Sequence, residues 1–176
     1  MAAGVLVLGY GNPGRRDDGL GAALAERLAA LRLPEVTVEA GYQLAVEDAA
    51  EAARHECVVF ADAALRGRAP FKLRRVRPGG TAGFSSHCLG PEAVLALARD
   101  LFGAAPRAYL LAIRGYVFGA FGESLSPRAR RNLEAAFEFL RTWLADGGFR
   151  RSLPVRRRRQ AGARPAARLG KERASP

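Results

Sequence analysis

Two adjacent aspartates, a third aspartate after an apolar run and a histidine in a small-residue loop are the residues of this chain able to do chemistry. They lie in Gly9-Tyr10-Gly11-Asn12-Pro13-Gly14-Arg15-Arg16-Asp17-Asp18-Gly19, in Phe60-Ala61-Asp62-Ala63 and in Ser85-Ser86-His87-Cys88-Leu89-Gly90. The first two segments follow apolar runs that read as buried strands. In an open α/β sheet the carboxyl ends of strands are where ligands and substrates gather. Two carboxylates and an imidazole converging there have the donor set of a hard-to-borderline metal site.

The elements that must position these groups follow from periodicity. Val5-Leu6-Val7-Leu8 is a continuous apolar run, as expected of a central strand buried on both faces. After the glycine-rich loop, Leu20, Leu24, Leu28 and Leu31 recur at helical spacing and predict a helix over 20–31, stopped by Pro34. A second strand is predicted over 36–40, a short helix over 44–53, and a third strand over 57–61 that ends in Asp62. Residues 71–76 alternate apolar and basic, the pattern of an edge strand wet on one face. A helix over 91–102 has Pro91 at its first turn, a fifth strand covers 108–113, and Ser126-Pro127 opens a last helix that stops at Gly147-Gly148. Alternating strands and helices predict an α/β fold: a three-layer α/β/α sandwich around a mostly parallel, twisted five-stranded sheet.

The 176 residues suffice for one domain with a substantial core. The net charge of +11 divides unevenly, with +8 carried by residues 151–176 and +3 by residues 1–150. The tail, rich in Arg, Ala, Pro and Gly, cannot bury enough surface to offset the entropy of ordering, and is expected to lack stable structure. It has no interleaved aromatics on which bases would stack, so no nucleic-acid partner is expected. Two cysteines make no disulfide framework: Cys57 reads as a core residue, and Cys88 as packing inward beside an outward His87. No run approaches the ~20 apolar residues of a membrane span, and residues 1–8 lack the basic n-region of a signal segment, their apolar stretch breaking at Gly9. The expected setting is the reducing cytoplasm, with no membrane partner.

Each candidate also has a structural alternative. One of Asp17 and Asp18 can serve as a helix N-terminal acid while the other, pointing elsewhere, projects into a cleft. His55, in the polar run Arg54-His55-Glu56, reads as exposed. The strand–glycine turn–helix pattern also fits a nucleotide-binding module, with Glu39 as its ribose acid. Against that, two carboxylates would face the pyrophosphate, and the helix begins too late to hold it. No GxSxG elbow and no HExxH motif is present.

Taken together, the glycine-asparagine-acid loop with Gly21, the strand closed by Asp62-Ala63, and Ser86-His87-x-Leu89-Gly90 resemble the [NiFe]-hydrogenase maturation endopeptidases. The likeness extends to Gln43-Leu44, Arg114-Gly115-Tyr116 and Gly122-Glu123-x-Leu125-Ser126, and spans roughly residues 4–145. It implies an endopeptidase that removes a C-terminal extension from the hydrogenase large-subunit precursor. It also implies that Asp18, Asp62 and His87 recognise nickel already carried by that substrate. Many relatives have glutamate at the Asp18 position, and aspartate supplies the same oxygen ligand one methylene shorter. A monomer suits an enzyme that must embrace a protein substrate.

Overall fold

The computed structural model describes residues 4–79 and 89–151. Five strands, β1 (Val5–Tyr10), β2 (Val36–Gly41), β3 (Cys57–Ala64), β4 (Phe71–Val76) and β5 (Arg107–Arg114), form one sheet in the order β2-β1-β3-β5-β4. All pairings are parallel except β4 with β5. Four α-helices cover it: α1 (Leu20–Ala29), α2 (Glu47–Ala53), α3 (Pro91–Phe102) and α4 (Pro127–Ala145).

The apolar runs lack alternation because both faces of the sheet are covered. Val5, Val7, Val59, Leu111 and Ile113 join one core with Leu20, Leu24 and Leu28 of α1 and Leu133, Phe137, Leu140 and Leu144 of α4. Leu6, Leu8, Val58 and Phe60 point the other way, into a core with Ala49 and Ala52 of α2 and Val94, Leu95 and Ala98 of α3. The three-layer sandwich is thus α1 and α4, sheet, α2 and α3. Cys57 is fully buried in the first core, and burial pushes its thiol up to about 12. The two faces carry different helix pairs because the chain order reverses at β1. It leaves β1 toward β2 through α1 and returns past β1 to β3 through α2. That reversal opens a crevice beyond the carboxyl ends of β1 and β3.

Several boundaries differ from those read in the sequence. A 3-10 turn, Arg16–Gly19, precedes α1, and α1 itself stops at Ala29, five residues before Pro34. The helix expected over 44–53 forms only as Glu47–Ala53, because Leu44 instead pairs with Leu89 in an isolated bridge. Strand β3 continues through Ala64, so Asp62 lies inside it; β5 pairs with it to the end, whereas pairing with β1 stops at Ala61. After α4, Gly147 turns the chain at φ +61° and Phe149 folds back, 2% exposed, edge-on to Trp143. The folded body therefore reaches past residue 148, and 152–176 lie outside the described residues. Among the described residues no helix is long and apolar enough to cross a membrane.

Candidate active site

The glycine-rich loop turns at Gly11, whose φ of +134° is open to few residues but glycine, and whose missing side chain leaves room for the Asp18 carbonyl. Asn12 folds the loop on itself: its side-chain oxygen accepts the Gly14 N–H at 2.9 Å, while its own N–H donates to Asp18 Oδ2 at 3.1 Å. Gly21 seats the first turn of α1 against the carbonyls of Tyr10 and Ala61, so the helix starts directly over the ends of β1 and β3.

Asp17 and Asp18 have separate jobs. Asp17 is 0% exposed and accepts four hydrogen bonds from the loop between β5 and α4. Donors are the N–H groups of Tyr116 (2.7 Å), Val117 (2.9 Å) and Ser126 (2.7 Å) and the Ser126 hydroxyl (2.8 Å). Burial alone would raise its pKa, but these donors outweigh burial and hold the carboxyl below its ordinary value. The structural acid expected in this pair is therefore found, yet it is not the cap of its own helix. It ties down a loop 100 residues away, and Ser126 in turn caps α4 by accepting the Ala129 N–H. Backbone bonds from Arg16 to Gly122 and from Gly122 to Gly14 complete the seam. Asp18, half-buried, is left to face the crevice.

Asp62 reaches the same crevice from β3. Burial pushes its carboxyl up to about 6; the Ala63 N–H (2.7 Å) and the Tyr10 hydroxyl pull it down, and the charge of Asp18 pushes it up again. The charge of Asp18 thus reaches Asp62. Tyr10 is a site residue that sequence reasoning missed. Its own pKa is raised, first by burial and then by Asp62, so it stays a phenol and donates. The signal was present only as register. Gly9 of β1 pairs with Ala61, which sets Tyr10 beside Asp62 on the face covered by α2 and α3. On that face Arg74 of β4 also bonds Glu92 of α3 at 2.9 Å.

His87 and Cys88 lie outside the described residues. Leu89 pairs with Leu44, and Gly90 then opens α3 on the Asp62 face. Among the described residues no three His, Cys, Asp or Glu side chains converge as a metal site. His55, expected to be exposed, is buried at 8%. It bridges the Glu51 carbonyl and the Thr37 hydroxyl, both at 2.9 Å, so it fastens α2 to β2. Its neighbours in sequence are polar, but Thr37 comes to it from β2, 18 residues away.

The loop does not offer a phosphate cradle. The N–H groups of Gly11, Asn12, Gly14, Arg15, Arg16, Asp17 and Asp18 are all engaged within the protein. An anion site needs such groups free and no carboxylate before them. Paired carboxylates, one of them raised toward neutrality, suit instead a metal-bearing substrate or the activation of water.

No family model and no curated protein matches the chain. Solved structures do. The [NiFe]-hydrogenase maturation protease HycI from Thermococcus kodakarensis KOD1 is 25% identical, with a TM-score of 0.64 over 81% of this chain and 92% of that one. The hydrogenase maturating endopeptidase HybD from E. coli is 24% identical, with a TM-score of 0.66 over 82% and 94%. The hydrogenase 2 maturation peptidase from Thaumarchaeota archaeon SCGC_AB-539-E09 is 24% identical, with a TM-score of 0.60 over 80% and 97%. The resemblance carried by the three motifs therefore extends to the architecture of the whole folded body, and supports a protease.

Proposed function

We propose that this protein, which has the fold of the [NiFe]-hydrogenase maturation proteases, is an endopeptidase. It removes the C-terminal extension of a hydrogenase large-subunit precursor once nickel is in place. One observation carries the reading: two carboxylates, Asp18 from the 3-10 turn after the glycine-rich loop and Asp62 from β3, share the crevice where chain order reverses, and the charge of Asp18 reaches Asp62. Both come from one chain, so a monomer working in the cytoplasm suffices.

Nickel belongs to the substrate in this reading. Asp18 and Asp62 offer oxygen donors and His87 a nitrogen donor, a set that suits a divalent first-row metal. Their engagement marks the precursor as loaded and sets the scissile bond beside the carboxylates. Near neutral pH Asp62, poised at about 6, changes protonation readily enough to pass a proton between water and the leaving amine. Tyr10 holds that carboxylate in place. Asp17 fixes the loop that carries Asp18.

The test is processing in vitro. Purified protein is mixed with nickel-loaded or nickel-free precursor, and the products are weighed by mass spectrometry. Truncation of the loaded form alone is expected. Asp18→Ala, Asp62→Ala and His87→Ala should each abolish it with the circular dichroism spectrum unchanged. Normal processing by Asp62→Ala would refute the mechanism, and truncation without nickel would remove the metal from it.

A further inference from the structure

Residues 65–79, the loop after β3 together with β4, carry six cations (Arg66, Arg68, Lys72, Arg74, Arg75 and Arg77) and no acid. The rest of residues 1–150 has a net charge of −3. A body that is acidic elsewhere concentrates its positive charge on one loop and the edge strand that follows it. Arg74 is taken up by Glu92. Among the described residues no ion pair engages the other five.

Protection of a sheet edge does not account for this density. Strand β2, the opposite edge, has a single charged residue, Glu39, and no cation. Placement also matters. The loop leaves β3 at the carboxyl edge of the sheet and passes β5 to reach β4, with Leu65 three residues beyond Asp62, about 10 Å along an extended strand. Leu65 is 64% exposed, and Arg66 and Arg68 beside it are exposed as well. A polypeptide lying across the Asp18–Asp62 crevice meets this loop within a few residues of the site.

We propose that the 65–68 loop docks an acidic segment of the protein substrate, with Arg66 and Arg68 meeting its carboxylates and Leu65 an apolar side chain between them. The proposal rests on the endopeptidase reading for the identity of the partner. Guanidinium groups suit the task because each presents a fork of donors matched to a carboxylate. Charges at an exposed rim act on encounter and are screened by salt, so the loop governs KM and its ionic-strength dependence while the carboxylates govern kcat.

The experiment compares wild type, the double variant Arg66→Glu/Arg68→Glu, and Arg32→Glu, an exposed cation beyond the far end of α1. Precursor binding by biolayer interferometry and processing kinetics are both measured at about 50 mM and about 500 mM salt. The double variant is expected to raise Kd and KM about tenfold at low salt with kcat unchanged, the gap closing at high salt. Arg32→Glu should match wild type. Equal Kd and KM in all three proteins overturns the proposal, as does an equal loss in Arg32→Glu. It also falls if wild type sediments as a dimer that the double substitution splits, which would assign the loop to a second copy. Salt-sensitive, loop-dependent binding without any cleavage upholds docking and removes the endopeptidase reading. Cleavage indifferent to the loop does the reverse.

Discussion

Asp17 accepts both the N–H and the hydroxyl of Ser126, at 2.7 and 2.8 Å, across 109 residues of sequence. One buried carboxylate thereby joins the glycine-rich loop to the start of the last helix. The acid beside it, Asp18, is freed for the crevice. Two neighbours of the same residue type are thus placed differently, one buried in a seam and the other left half-buried beside the crevice, where the proposed function gives it a chemical role.

This division predicts opposite phenotypes. Asp17→Ala strands three backbone donors and a hydroxyl in a buried place, and should cost about 3–5 kcal/mol. For a domain of this size that is a fall of about 10 °C in Tm. Asp18→Ala removes a half-buried group and should cost under about 1 kcal/mol while ending processing. Thermal melts of the two variants side by side decide it; equal Tm values would undo the assignment.

Asp62 should destabilise the fold when charged. Its native pKa of about 6 lies above its ordinary 3.8, so between those values the native state holds a proton that the unfolded chain has released. Stability therefore falls as pH rises through this window, and the penalty is complete above pH 6. Asp62→Asn should be more stable than wild type by about 1–3 kcal/mol at pH 8, with the difference shrinking toward pH 4. Denaturant titrations at both pH values check the sign.

Tyr10 tunes that same carboxylate. Its hydroxyl stabilises the ionised form, so Tyr10→Phe should move the Asp62 pKa upward. The rising limb of kcat/KM against pH should shift up with it, leaving activity at high pH near normal. A pH profile that drops uniformly, without a shift, would assign Tyr10 to packing alone.

His55, by contrast, should matter only to stability. His55→Ala removes two hydrogen bonds that join α2 to β2 and leaves a small void, for a loss of about 1–3 kcal/mol. Processing measured well below the melting temperature should be unaffected. A fall in kcat there would bring the second histidine into the chemistry.

Gly11 sets the loop. Gly11→Ala forces a side chain into a φ of +134° and against the Asp18 carbonyl, at a cost of about 1–3 kcal/mol. Because the strain falls on the residue bearing the carboxylate, processing should drop along with Tm. The paired readout is melting temperature and kcat; loss of Tm alone would separate the loop from the site.

Much of this molecule was legible before folding. Continuous apolar runs specify strands covered on both faces; leucines at helical spacing specify α1; and the alternation of residues 71–76 specifies an edge. Each signal is local, carried by the burial period of one element. The bond from the Gly14 N–H to the Asn12 side chain is equally local, spanning two residues. The candidate residue types, three aspartates and a histidine with the glycines around them, were also written in the chain, and with them the likeness to the maturation endopeptidases.

The tertiary structure decided whatever depends on a partner distant in sequence. Which aspartate is buried follows from amides in the loop after β5. Tyr10 meets Asp62 only because β1 and β3 pair in a register that ends at Gly9 and Ala61. His55 is inside because Thr37 awaits it on another strand. Local sequence sets the period of an element, but hydrogen-bond partners are assigned when strands choose neighbours and register. No single segment encodes that choice, because its free energy belongs to the packed whole.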